Sequence, residues 1–285
     1  MNLSEYLELF KKQLFEHDLL GENSLVVVLN SGGKDSCAMS YLFREYAKEK
    51  LGLRLEYLNI VFPQMVFGSS TEEISDKIRG ISEVFNPFKS VIPKTSYDEL
   101  GKTDRPCLLC KQVRRKAIAK IIASKEEENI IIATGHNNYD LLAYFIELFS
   151  ISPNELVKRG LDYENLNSIS IKDSDLEHFS RFFPKLELNS GITLIKPMLV
   201  FNRLEINDIL KKAGVPTLIC NCPYASHRPK RNLFRLLRKA PLERVKELVT
   251  HNTYKNMISV LREKVQNFDK AFEKVKQKDY SELLL

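Results

Sequence analysis

The run Leu25-Val26-Val27-Val28-Leu29 passes without a break into Asn30-Ser31-Gly32-Gly33-Lys34-Asp35-Ser36. A short continuous apolar stretch of β-branched type fits a parallel strand covered on both faces. Met39, Leu42, Phe43 and Tyr46 then recur at helical spacing. The unit is strand, tight glycine turn, helix, and a parallel neighbour for such a strand needs a crossover connection.

The rest of the chain keeps that alternation. Leu3, Tyr6, Leu7, Phe10, Leu14 and Phe15 predict an amphipathic helix within residues 1–20, ended by Gly21. Strand-like Leu53 to Val61, helix-like Thr71 to Phe85, a short apolar piece at Val91-Ile92, helix-like Gln112 to Ala123 and strand-like Ile130 to Ala133 follow in order. Ile192 to Ile195 reads as a returning strand, and Asn202 to Ala213 as a helix closed by Gly214 and Pro216. This predicts an α/β fold, a Rossmann-like parallel sheet with helices on both faces. The expected organisation is an N-terminal helix (1–24), a catalytic domain (25–215) with a helical excursion at about 150–190, and a cysteine-containing loop with basic helices (216–285).

The chain has 285 residues, enough for one large or two modest domains. No apolar run approaches the ~18 residues of a membrane span. Residues 1–24 lack the pattern of a secretory signal, so we expect a soluble cytoplasmic protein with no membrane partner. The five cysteines are an odd set, which excludes a complete disulfide framework; in a reducing compartment, clustered cysteines serve as metal ligands or reactive thiols.

In the glycine turn, backbone N–H groups can approach phosphate oxygens, the helix N-terminus adds partial positive charge, and Ser31, Lys34 and Ser36 supply further donors. The turn reads as an anion cradle. It is not a Walker A loop, whose spacing would need a glycine at Val28. Cys37 reads as a plain core cysteine.

Cys107-Leu108-Leu109-Cys110 opens a helix rich in Lys and Arg, which favours thiolates. A second group, Cys220-Asn221-Cys222-Pro223-Tyr224, lies far along the chain. Four cysteines could close a structural zinc site; three could hold an iron–sulfur cluster with one iron open. Thiolate chemistry suits both metals.

These motifs, in this order, resemble those of the PP-loop ATPase superfamily. Ser31 to Ser36 match its SGGxDS pyrophosphate loop. Cys-x-x-Cys with Arg114-Arg115, then Ile131-Ile132-Ala133-Thr134-Gly135-His136-Asn137, then Cys-Pro-Tyr and an Arg-rich segment, are similar to its tRNA 2-thiolation branch, the TtuA- and TtcA-like enzymes. The resemblance covers roughly residues 24–245 and implies an ATP-dependent tRNA sulfurtransferase: ATP, with Mg²⁺, adenylates a pyrimidine carbonyl, and sulfur replaces the oxygen as AMP leaves. It implies nucleotide contacts at Asn30, Ser31, Gly32, Gly33, Lys34, Asp35, Ser36, Ile60, Gly135, His136 and Asp140. It implies a [4Fe-4S] cluster, with zinc as the alternative, on Cys107, Cys110 and Cys222, and catalytic roles for Asp35, Asp140, Cys110 and Cys222. Cys220 is left as a surplus residue. The expected partners are tRNA, a sulfur donor (sulfide, persulfide or a sulfur-carrier protein) and, as a family expectation, a second copy in a homodimer.

The sequence departs from that branch at two places. Residues 1–24 and 250–285 contain no cysteine where zinc fingers are usual, and the usual Gly-His-Asn-x-Asp-Asp is here Gly135-His136-Asn137-Asn138-Tyr139-Asp140. Asn221 to Leu242 contains no acidic residue, and its Arg231, Arg235 and Arg238 would share one helical face as a phosphate-binding stripe. The formal charge of +6 conceals this local concentration. A PP-loop enzyme that sulfurates or amidates a small molecule, and a zinc-bound RNA-binding protein, are the alternative readings.

Overall fold

The computed structural model describes residues 1–60, 71–91, 100, 102–125, 129–188, 191–218, 224 and 252–277. Cys220, Cys222 and the basic stripe with Arg231, Arg235 and Arg238 lie outside the described residues.

Strands β1 (Leu25–Leu29), β2 (Arg54–Ile60), β3 (Phe88–Val91), β4 (Ile130–Ala133), β5 (Lys185–Glu187) and β6 (Ile192–Ile195) form one sheet in the order β3-β2-β1-β4-β6-β5. Pairings from β3 to β6 are parallel, as expected. β5 is a correction: the end of the excursion returns to the sheet as an antiparallel edge strand on β6, with Leu186 opposite Leu194. Lys185-Leu186-Glu187 buries only Leu186, too short an alternation to announce a strand. β3 begins at Phe88, ahead of the expected Val91-Ile92, with its middle residues exposed.

Side-chain alternation along β1 and β4 divides the core between the two faces of the sheet. Val26, Val28, Ile131 and Ala133 face one cluster, shared with α1 (Leu3–Glu16), α2 (Lys34–Glu49) and α8 (Arg203–Ala213). Leu25, Val27, Ile130 and Ile132 face another, shared with α5 (Asn138–Leu148), the excursion, α9 (Thr253–Lys264) and α10 (Phe268–Gln277). The excursion comprises α6 (Pro153–Arg159), a 3₁₀ turn at Asp173–Asp175, α7 (Leu176–Phe179) and a second 3₁₀ turn at Ser180–Phe182. α3 (Thr71–Val84) and α4 (Pro106–Ala123) complete the crossovers.

Local chemistry sets the helix ends. α1 and α8 each begin with a capping box, Asn2 with Glu5 and Asn202 with Glu205, and α8 ends at Gly214 in the left-handed region. α4 begins at Pro106, six residues before the periodic stretch from Gln112, because proline is preorganised for the first helical position. α5 had no expectation: nearly all of it is buried, so no polar stripe marks its period. His17, which from sequence looks like a surface residue, instead stands edge-on to Tyr254 with its Nε2 buried.

No helix among the described residues is long and apolar enough to cross a membrane.

Candidate active site

The strand order reverses between β1 and β4: β2 and β3 follow on one side, β6 on the other. Ligands of open α/β sheets bind outside the carboxyl ends of the strands at such a switch point. Val28 pairs with Ala133, so the turn after β1 and the Thr134-Gly135-His136 segment after β4 emerge side by side. Between them is a cleft of about 230 Å³, lined by Ser31, Gly33, Asp35 and Ser36 from one side and Thr134, Gly135, His136 and Asp140 from the other.

The turn is braced from within. Buried Asn30 accepts the Gly32 N–H on Oδ1 at 2.7 Å and donates through Nδ2 to Ser40 Oγ at 3.0 Å. Ser36 Oγ accepts the Ser31 N–H at 3.1 Å and donates to the Gly33 carbonyl at 2.9 Å. Gly32 has φ +76°, and Leu218 closes over it, donating its N–H to the Gly32 carbonyl at 2.7 Å. Both the backbone angle and the covering side chain call for glycine there.

The two helices that meet the cleft differ at their N-termini. α5 is capped by its own residues: Asn137 Oδ1 accepts from the Tyr139 and Asp140 N–H groups, and Asp140 Oδ2 accepts from the Asn137 N–H at 3.1 Å. α2 has Gly33 as its N-cap and no side-chain cap hydrogen bond. Gly33, Asp35 and Ser36 line the cleft, so the positive end of the α2 dipole lies beside it. Lys34 Nζ lies 2.6 Å from Asp35 Oδ1. Burial raises the Asp35 carboxyl above its ordinary value; Lys34 opposes this and Asp140 adds to it.

A strand, a glycine turn with an uncapped helix, and a Gly-His-Asn segment beside it at the switch point define the site, and a solved structure shares the fold that carries it. The U34-tRNA thiolase NcsA from Methanococcus maripaludis, with its [4Fe-4S] cluster, superposes with a TM-score of 0.60 over 95% of this chain and 80% of that one, at 19% identity. The likeness is one of fold: a mostly parallel sheet with helices on both sides. An NMN synthetase from Francisella tularensis is similar at a TM-score of 0.42 and 13% identity over 100% of this chain and 97% of that one. No protein-family model and no curated protein matches the sequence.

Of the expected nucleotide contacts, Ser31, Gly33, Asp35, Ser36, Gly135, His136 and Asp140 come together at the cleft. Asn30 and Gly32 support the turn from behind, and Ile60, at the end of β2, is buried in the core. Cys37 is fully buried, its thiol pushed up to about 12 by burial, which suits a packing role.

Cys107 and Cys110 share the first turns of α4, Cys110 buried against Leu100, Leu109, Val113 and Tyr224. The Cys107 thiol donates to the Tyr224 carbonyl at 3.6 Å. Among the described residues no three His, Cys, Asp or Glu side chains gather as a metal site.

Sequence reasoning missed Glu177 and Arg181. One oxygen of Glu177, Oε1, accepts from Lys111, from Arg115 at 2.8 Å and from Arg181 at 2.6 Å. Burial alone would raise the Glu177 carboxyl, but the Lys111 hydrogen bond and the three cationic charges outweigh it and hold the group well below the usual carboxylate range. Arg181 also reaches His136 Nε2 at 3.1 Å. The only available signal was the four-residue spacing of Glu177 and Arg181, which many surface helices share.

Proposed function

We propose that this chain is an ATP-dependent tRNA sulfurtransferase that replaces a pyrimidine carbonyl oxygen with sulfur. The observation that carries the reading is the contact between the Cys107 thiol and the Tyr224 carbonyl. In the sequence Tyr224 closes the Cys222-Pro223-Tyr224 motif. Leu218, on the other side of Cys220 and Cys222, is tied to Gly32 of the turn. The described residues on either side of the later cysteines in sequence, Leu218 and Tyr224, thus meet the glycine turn and the Cys-x-x-Cys helix. The fold likeness to a U34-tRNA thiolase with a [4Fe-4S] cluster supports the same assignment.

The cleft residues fit a nucleotide's phosphates: the uncapped start of α2 and the donors of Ser31, Lys34 and Ser36 meet negative charge, and Asp35 and Asp140 suit Mg²⁺. The pyrimidine oxygen would attack the α-phosphorus and release pyrophosphate. Hydrosulfide would then form the C–S bond while AMP departs with the original oxygen; a persulfide would form the same bond through its outer sulfur, and a second thiol would break the S–S bond by taking the inner sulfur as a disulfide. The cradle stabilises the leaving pyrophosphate by position and charge. Cys107, Cys110 and Cys222 would hold the cluster, with zinc as the alternative; when bound, it supplies an iron site open to a sulfur ligand.

The test is anaerobic purification with iron, sulfide and zinc analysis, followed by mass spectrometry of tRNA nucleosides after reaction with ATP and sulfide. Thiolated nucleoside and its loss in Asp35→Ala and Cys110→Ala are expected; full activity in both variants would overturn the reading. Tyr139, buried where the related motif has an aspartate, favours a second reading, a PP-loop enzyme acting on a small molecule. ATP turnover without tRNA binding at low salt would select it.

A further inference from the structure

The ion cluster around Glu177 joins the cysteine helix to the wall of the nucleotide cleft. Lys111, the residue after Cys110, and Arg115, one helical turn further on, meet Glu177 Oε1, which also holds Arg181. The side chains of Arg115, Glu177 and Arg181 are largely buried, at 18%, 26% and 17% exposure. Arg181 is fixed on its other side as well. Lys196, fully buried just after β6, donates to the carbonyls of Ser180 at 3.2 Å and Phe183 at 2.5 Å, so the backbone turn that carries Arg181 is tied to the sheet.

The chemistry of the Arg181–His136 contact decides the state of the imidazole. A guanidinium only donates, so His136 Nε2, 3.1 Å from Arg181 NH1, must offer its lone pair. The ring proton of the neutral imidazole is then on Nδ1, which lies 3.0 Å from Thr134 Oγ1. The Thr134 hydroxyl passes its own hydrogen to the Ile195 carbonyl at 3.3 Å. Each donor in the series meets an acceptor, and the direction is set at the arginine end.

We propose that Arg181, held in place by Glu177, is a positioning residue that keeps His136 neutral, in the Nδ1–H tautomer, as a fixed wall of the nucleotide cleft. His136 in this role neither abstracts a proton through Nε2 nor contributes a cation to the phosphates. Glu177 is not part of the cleft lining and acts on the imidazole through Arg181, and its removal leaves three cations without their shared carboxylate. The inference rests on the nucleotide reading of the cleft, but its first observable does not.

The experiment is ¹⁵N histidine NMR on the full chain at neutral pH, beside calorimetric titration with ATP and Mg²⁺. The wild-type spectrum should show a bare Nε2 and a protonated Nδ1 for His136, assigned with His136→Gln. Glu177→Gln and Arg181→Lys should both lose that pattern, since a lysine point charge cannot bridge Glu177 and His136 as a fork does. Their ATP dissociation constants should rise about tenfold, equivalent to about 1.4 kcal/mol. Glu177→Asp should recover much of both signals, which a general loss of folding would not allow. A protonated Nε2 in the wild type, or an unchanged tautomer and affinity in both variants, would overturn the proposal. The expected tautomer in a wild-type chain that binds no ATP would overturn the nucleotide reading and leave the hold on His136 standing.

Discussion

Gly135 packs directly against Ser36. A Cβ at Gly135 would lie 3.1 Å from the Ser36 nitrogen and 3.1 Å from the Asp35 carbonyl carbon. Those atoms are backbone of the first turn of α2 and cannot swing aside as a side-chain end could. The close approach holds the two walls of the cleft at a fixed separation.

Gly135→Ala should therefore displace the turn. We expect a loss of about 1–3 kcal/mol in chemical denaturation, as for other overpacked sites, and a fall in ATP affinity of about tenfold, equivalent to about 1.4 kcal/mol. Unchanged affinity by calorimetry would show that the cleft tolerates the extra methyl.

Asp140 has a structural duty in the α5 cap and a candidate chemical one in the cleft, and these separate by mutation. Asn137→Ala and Asp140→Ala each break the capping box and should each cost about 1 kcal/mol of stability. Only Asp140→Ala should lower the rate of ATP-to-AMP conversion by more than about tenfold, since removing a charge-stabilising group acts on the transition state. Equal rates in the two variants would reduce Asp140 to a cap.

Cys37 gives a pH test. Burial raises its thiol from 9.0 to about 12, so above pH 9.0 the unfolded chain releases a proton that the folded chain keeps. The contribution of Cys37 to stability is full below that pH and is lost as pH rises toward the folded value. Cys37→Ala should be about 1 kcal/mol less stable than wild type at neutral pH. The gap should close by up to about 1.4 kcal/mol per pH unit above pH 9.0. Denaturation curves at several pH values check this, and iodoacetamide at neutral pH should label Cys107 before Cys37.

Glu177 has the opposite sign. Its folded value is depressed, so its stabilisation is complete above its ordinary value of 4.5 and falls away as the pH drops below it. Glu177→Gln should cost about 3 kcal/mol at neutral pH, because it removes the shared partner of a largely buried ion cluster. The difference from wild type should narrow in acid denaturation below pH 4.5; a gap that persists there would mean that packing, not charge, holds the cluster.

Residues whose role is set by their immediate neighbours were legible in advance. The continuous apolar run at Leu25–Leu29 and the glycines after it specify a buried strand and a tight turn into a helix. The Asn202 and Gly214 signals bound α8 closely. α5 escaped because a helix buried on nearly every side has no stripe, and β5 because one inward residue makes no alternation. The retained aspartate of the Gly-His-Asn segment was read as a nucleotide contact, whereas its position three residues past Asn137 also makes it a capping partner.

The sequence by itself determined the strand–turn–helix unit, the α/β alternation and the placing of two cysteines at the start of one helix, because backbone preference and apolar period are local properties. Only the tertiary structure decided that Tyr224 meets Cys107 and that the excursion brings Glu177 and Arg181 between the cysteine helix and His136. Those contacts join residues from 45 to 117 positions apart in the chain. They depend on how the elements pack against the sheet and on where buried charges find partners, and neither is written in any single stretch of residues.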